Sequence, residues 1–117
     1  MRSDRENIIV DLSFEFALEV IQFSELLRSQ NRFEISSQIF RSGTSIGANI
    51  REAQNAESRA DFIHKFKIAA KEADEIQYWL MLCEKSEFLP TPDKELHTKI
   101  ETIIKIISKI VSTSKRR

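Results

Sequence analysis

Residues 61–83 of this 117-residue chain read DFIHKFKIAAKEADEIQYWLMLC and carry its strongest periodic signal. Apolar and small residues recur there at alternating steps of four and three, the spacing of one face of an α-helix. These positions are Phe62, Phe66, Ala69, Ala73, Ile76, Leu80 and Cys83. A continuous apolar seam of this kind is typical of a helix that packs in a bundle.

The rest of the chain predicts three further helices. The four helices are expected at about residues 4–29, 32–57, 59–87 and 92–113. The seam of the fourth helix consists of Leu96, Ile100, Ile103, Ile107 and Ile110. The second helix has a seam of smaller residues, namely Ile35, Ile39, Ser42, Ile46, Asn49 or Ile50, and Ala53. We therefore expect the second helix to pack close to its neighbours.

The first helix has an ambiguous pattern, because apolar and polar residues alternate from Leu12 to Val20 as they do in a strand. Two observations favour a helix. Residues 8–27 contain no glycine or proline, and apolar residues also recur at helical spacing (Ile9, Leu12, Phe16, Phe23 and Leu27). In a helix, Phe14, Leu18 and Ile21 then form a second apolar stripe. A monomeric bundle does not need two apolar stripes on one helix, so this pattern predicts oligomerisation.

Capping signals support these boundaries. A capping residue is followed three positions later by an acid at Ser3 and Glu6, at Asn31 and Glu34, and at Ser58 and Asp61. Thr91 and Pro92 provide a cap and a proline at the first helical position. The short connections place successive helices antiparallel. The sequence therefore predicts an all-α, antiparallel up-and-down four-helix bundle with residues 1–117 in one domain.

The composition indicates a soluble globular protein. Hydrophobic residues make up 41% of the chain and charged residues 31%, and 18 basic side chains balance 18 acidic ones. No global field attracts nucleic acid or a membrane, and no apolar stretch approaches the ~20 residues of a membrane span. The single cysteine excludes an internal disulfide and suits a reducing compartment. The N-terminal segment lacks a signal-peptide pattern, so we expect a cytoplasmic protein.

Both glycines of the chain, Gly43 and Gly47, fall within the second helix. Each costs a helix interior about 1 kcal/mol relative to alanine, so some packing gain must compensate. Four residues apart, they share one face and allow another backbone to approach closely. The candidate interaction surface consists of these glycines with Arg41, Ser45, Asn49, Arg51, Glu52, Lys71 and Glu72.

The two halves of this surface come from different helices. Our hypothesis is that Lys71 and Glu72 of the third helix meet polar residues of the second helix (Arg41, Asn49 and Glu52), forming a polar cluster at a subunit or partner interface. Tyr78 and Trp79 lie beside it, and aromatics with arginine are common at interface hot spots. The alternative is a solvated, salt-bridged helix face next to ordinary core packing.

Metal and catalytic chemistry find no support in the sequence. A di-iron bundle requires Glu-x-x-His pairs, but Asp61 precedes His64 and Lys94 precedes His97 at that spacing. Cys83 faces the predicted core and has no base partner, and the serines lie outside any strand–turn–helix nucleophile motif.

The glycine pair does not form a phosphate-binding loop either. Gly43-x-x-x-Gly47 lacks the Gly-Lys-Ser/Thr ending that such a loop needs to hold a nucleotide. We therefore predict no enzyme activity, no metal and no cofactor.

The C-terminal region is basic, with seven basic and three acidic residues among residues 90–117. Lys105 and Lys109 align at i and i+4, and the chain continues to further cations. The candidate nucleic-acid contacts are Lys105, Lys109, Lys115, Arg116 and Arg117. About five charges suffice for weak, non-specific phosphate contact, and a ring of subunits would multiply them. The alternative is a solubilising tail.

Two motifs together resemble a known family. Residues 41–53 read RSGTSIGANIREA, and residues 61–80 read DFIHKFKIAAKEADEIQYWL. This pair closely resembles the four-helix-bundle family of 23S rRNA intervening-sequence proteins, with similarity across residues 8–112. The resemblance implies an up-and-down bundle that assembles into a homopentameric ring.

The resemblance also indicates which partners to expect. The family has no established biochemical activity, although nucleic-acid binding has been suggested for it. A related branch, the accessory proteins of diversity-generating retroelements, forms pentameric barrels that bind a reverse transcriptase and nucleic acid. Those proteins are markedly basic, whereas this chain is neutral. Our first hypothesis is a non-enzymatic, pentameric interaction protein that does not engage membranes. The alternative is an RNA- or DNA-binding module, as an accessory to a reverse transcriptase or other nucleic-acid machinery.

Overall fold

A computed structural model describes residues 4–116 of the chain. They form four helices, α1 (Asp4–Ser29), α2 (Phe33–Ala53), α3 (Arg59–Lys85) and α4 (Lys94–Lys115), and contain no strand. The predicted all-α fold is therefore confirmed.

The four helices form an elongated bundle of about 47 × 21 × 19 Å. Each helix packs against its neighbours in the chain, and α1 also packs against α4, which closes the bundle. Within residues 4–116, the diagonal pairs α1 with α3 and α2 with α4 have no Cα atoms within 8 Å of each other. The four helices therefore stand in a square, and each exposes an outer face.

The predicted seams form the core. All five seam residues of α4 are buried, as are six of the seven in α3, while Phe62 packs partly buried against Phe66 with ring centroids 4.8 Å apart. Deletion of such fully buried side chains removes both transfer free energy and packing contacts.

The alternating segment of α1 is helical. Phe16 is fully buried, whereas Phe14 is 65% exposed, although a strand would place both on the same face. Of the second apolar stripe, Leu18 is 51% exposed and Ile21 is half-buried. Phe14 and Leu18 therefore form an apolar outer edge on α1.

The predicted capping residues are confirmed at one helix and wrong at another. Ser58 caps α3 as expected, because its Oγ accepts a hydrogen bond from the Asp61 N–H at 3.0 Å. Asn31, however, does not cap α2. It adopts a left-handed conformation with φ of 62°, and its N–H donates to the Arg28 carbonyl. The next N–H, of Arg32, donates back to the Leu27 carbonyl at 2.9 Å.

This pattern is a Schellman motif, so Asn31 ends α1 rather than starting α2. Asparagine suits this role because its short polar side chain tolerates positive φ. The predicted cap Ser3 lies outside the described residues.

The bounds of α1 and the start of α3 match the prediction, and the other boundaries differ by a few residues. Helix α2 ends at Ala53 because the following N–H groups bond three residues back, which tightens the chain into turns. Pro92 is buried ahead of α4, and Asp93 occupies the N-cap position instead of Thr91.

Candidate interaction surfaces

The glycine face of α2 packs against α1 of the same chain. Gly43 is buried, and a methyl group added there would lie 2.5 Å from Val20 Cγ1 and 2.8 Å from Cγ2. At Gly47, a methyl group would lie 3.5 Å from the Ser13 carbonyl oxygen, an ordinary contact distance. The close approach predicted from the glycines therefore occurs within the bundle, and it is tightest at Gly43.

A pair of serines joins the same two helices. The Ser24 hydroxyl donates to the Ser36 carbonyl at 2.9 Å, and the Ser36 hydroxyl donates to the Ser24 carbonyl at 2.8 Å. Both side chains are buried. Sequence reasoning missed this pair, although small polar residues at buried helical positions are a signal for close packing with internal hydrogen bonds.

An open groove of about 610 Å³ (the α1–α2 groove) lies along the outer side of α1 and α2, and Gly47 is one of its lining residues. Asp11, Phe14, Thr44 and Arg51 are among its lining residues. Arg51, a predicted site residue, therefore lies on the α1 side of α2 and is separated from the polar residues that face α3.

Two electrostatic interactions cross the junction of α2 and α3, Lys65 with Glu52 and Arg41 with Glu72, and the side chains that continue them at helical spacing are called the polar strip. The polar strip consists of Gln38, Arg41, Ser45, Asn49 and Glu52 on α2 with Lys65, Glu72 and Trp79 on α3. Lys65, Glu72 and Trp79 recur every seven residues, so they share one helix face. The candidate residues Arg41, Ser45, Asn49, Glu52 and Glu72 therefore follow one junction.

The ends of the polar strip are internally paired. Lys65 Nζ lies 2.9 Å from Glu52 Oε1, and this hydrogen bond and charge raise the pKa of Lys65. Arg41 donates to Gln38 on its own helix, and the Asn49 amide donates to the Ser45 carbonyl at 2.8 Å.

Two side chains of the polar strip contain unpaired polar atoms. Within residues 4–116, the buried Glu72 Oε2 and Trp79 Nε1 atoms have no hydrogen-bond partner. Burial raises the pKa of Glu72, Glu75 adds to the effect, and Arg41 opposes it. The strip thus presents one acceptor and one donor whose hydrogen-bonding capacity is unused.

The predicted polar cluster forms only in part. Glu72 lies within electrostatic range of Arg41, but Glu52 pairs with Lys65. Lys71 lies elsewhere, because consecutive helical residues are rotated by about 100°. It lines a groove between α3 and α4 and is not part of the polar strip.

This second groove, the α3–α4 groove, has a volume of about 550 Å³. Its apolar lining includes Ala70, Ile104, Ile107 and Val111, and its charged lining consists of Lys67, Lys71, Asp74 and Lys115. The groove therefore combines an apolar lining with three cations and one anion.

Among the predicted nucleic-acid contacts within residues 4–116, Lys115 alone lines this groove. Lys105 and Lys109 are exposed elsewhere on α4, and Arg116 is exposed just past the end of that helix. Arg117 lies outside the described residues. The structure therefore brings Lys115 together with two cations of α3, Lys67 and Lys71, that the sequence reasoning did not include.

Cys83 and His97, two side chains that could in principle carry chemistry, lie in contacts within the bundle. Burial raises the pKa of the Cys83 thiol to about 11, so it is protonated at neutral pH. His97 Nε2 on α4 lies 2.9 Å from Glu84 Oε2 on α3, but not in the geometry of a hydrogen bond. Within residues 4–116, no three His, Cys, Asp or Glu side chains are grouped to hold a metal ion. None of the helices described is long and apolar enough to cross a membrane.

Comparisons with known proteins give one matching family model and a similar solved structure. A family model described as 23S rRNA-intervening sequence protein matches residues 5–109. The chain is 42% identical to a protein with unknown function from the S23 ribosomal protein family of Bacteroides thetaiotaomicron VPI-5482, whose crystal structure gives a TM-score of 0.86. That match covers 92% of this chain and 98% of the other. No curated protein matches the chain.

Proposed function

Because the chain belongs to the 23S rRNA-intervening sequence protein family, we propose that it is a non-enzymatic, cytoplasmic interaction protein that assembles with copies of itself. The assembly we propose is a homopentameric ring, the form implied by the family resemblance. The role of this ring is to bind partner molecules through its exposed surfaces.

The observation that carries this proposal is the apolar outer edge of α1. Phe14 and Leu18 lie one turn apart and are 65% and 51% exposed. On α2, Phe40 lies one turn before Gly43 and is 46% exposed. Phe14 and Leu18, exposed one turn apart on α1, are side chains of the kind that mark association surfaces, and full burial of one contributes roughly 1.5–3 kcal/mol.

Self-association can be tested by light scattering at micromolar concentration. We expect a mass several times the 13.6 kDa of one chain. The Phe14→Glu and Leu18→Glu variants should shift the mass toward a single chain, because a carboxylate cannot be buried cheaply in an apolar contact. Leu26→Glu is the matched control, since Leu26 is 43% exposed but lies on another side of α1. A wild-type chain that is monomeric under these conditions would overturn the proposal.

A second candidate function is RNA or DNA binding, as an accessory to a reverse transcriptase or other nucleic-acid machinery. The observation in its favour is that Lys115 lies in one groove with Lys67 and Lys71. Together with Lys105 and Lys109, these lysines provide enough charge for non-specific phosphate contact, particularly if copies are repeated around a ring.

This candidate predicts salt-dependent binding to labelled single- and double-stranded RNA and DNA. Affinity should be highest at ~50 mM salt and fall steeply as salt rises, because bound phosphates release counterions. Neutralising Lys105, Lys109, Lys115, Arg116 and Arg117 should weaken binding and reduce the salt slope. Lys94→Gln, at the opposite end of α4, is the control. Absence of binding at ~50 mM salt excludes this function.

A further inference from the structure

We propose that the α3–α4 groove of one copy receives the outer edge of α1 from the next copy. Phe14 would enter the apolar part of the groove, and Asp11 and Glu15 would face Lys67 and Lys71 at its rim. This inference rests on the proposed self-assembly and specifies which surfaces meet.

The charges of the two surfaces are complementary. The α3–α4 groove carries three lysines and one aspartate, a formal charge of +2. The exposed acids Asp11 and Glu15 flank Phe14 and give this part of α1 a charge of −2. Opposite charges at an interface steer association and disfavour wrong partners.

The spacing of the charges also matches. Asp11 and Glu15 are one helical turn apart, as are Lys67 and Lys71, so each pair spans about 6 Å along its helix. Residues 11–18 extend for about 10 Å, and the α4 wall of the groove, residues 104–115, extends for about 16 Å. The edge therefore fits within the length of the groove.

The position of the surfaces requires a second copy. Helices α1 and α3 are diagonal in the bundle, and within residues 4–116 no Cα atom of one lies within 8 Å of a Cα atom of the other, so a chain cannot place its own α1 edge in its own groove. The α1 edge of each copy would therefore lie in the groove of one neighbour, and its own groove would receive the α1 edge of the other neighbour. Such a heterologous contact generates a closed ring when the rotation between copies closes.

Charge reversal tests this pairing directly by light scattering. The Asp11→Lys/Glu15→Lys variant and the Lys67→Glu/Lys71→Glu variant should each lose assembly and fall toward 13.6 kDa. A chain carrying all four substitutions should regain the wild-type mass, because the reversed edge again faces a complementary groove. Helicity by circular dichroism verifies that every variant folds. Glu101→Lys and Lys105→Glu, exposed positions outside both surfaces, should keep the wild-type mass.

The outcomes separate this inference from the proposed function. A monomeric wild-type chain overturns both. A wild-type assembly that is unchanged in both reversed variants overturns the pairing and leaves self-assembly intact. Loss of assembly without recovery in the four-substitution chain also overturns the pairing. The pairing is also overturned if the Lys67→Glu/Lys71→Glu variant loses nucleic-acid binding but keeps the wild-type mass, since the groove then binds a nucleic acid and not a second copy.

Discussion

Replacement of Phe16 by alanine is expected to lower the free energy of unfolding by about 3–5 kcal/mol. The ring is fully buried in the core cluster, so truncation removes its transfer free energy and leaves a cavity that its neighbours fill only in part. Marginal stability makes this a large fraction of the total. Urea denaturation followed by circular dichroism at one fixed chain concentration measures the change.

Phe14→Ala is the matched control for Phe16→Ala. Both measurements belong in a Leu18→Glu background, so that self-association does not contribute to stability. Because Phe14 is 65% exposed, its truncation should change the free energy of unfolding by no more than about 0.5 kcal/mol. Equal losses at the two positions would contradict the helical assignment of this alternating segment.

Gly43→Ala should destabilise the protein by about 1–3 kcal/mol, although alanine is the better helix former by about 1 kcal/mol. The new methyl group would lie 2.5 Å from a branch of Val20, which is fully buried and has little rotamer freedom. Either α1 must move away from α2 or the valine must leave its rotamer. Chemical denaturation in the Leu18→Glu background again provides the measurement.

Two further variants isolate the steric cause. Gly47→Ala should stabilise the protein by up to about 1 kcal/mol, because its methyl group meets only ordinary contacts. In a double-mutant cycle, Val20→Ala should remove most of the penalty of Gly43→Ala. If Gly43→Ala stabilises the protein as much as Gly47→Ala does, the close contact is not as described.

The sequence was sufficient to predict the helices and their buried seams, since both follow from local period. Helix ends were less predictable because adjacent elements compete for the same residue. Asn31 has the chemistry of an N-cap, yet the chain uses it to end α1 in a left-handed turn. The start of α4 also differs from the prediction, because Pro92 is buried ahead of the helix and Asp93 is its N-cap.

The candidate site was predictable only in part, because it depends on how α3 is rotated about its axis. Lys71 and Glu72 are neighbours in sequence, but they lie at different helix junctions. The pairing of Lys65 with Glu52 depends on how far α3 is shifted along α2, a quantity that no local pattern contains. A search for residues seven apart from Glu72 would have found Lys65 and Trp79.

The reciprocal hydrogen bonds of Ser24 and Ser36 fix how far α1 is shifted along α2. Other hydroxyls, such as that of Ser42, bond to a carbonyl of their own helix and would tolerate sliding. The crossed serine bonds exist at a single offset, and any slide breaks both at once. The two serines thereby hold the apolar side chains of α1 and α2 at a fixed spacing along the bundle.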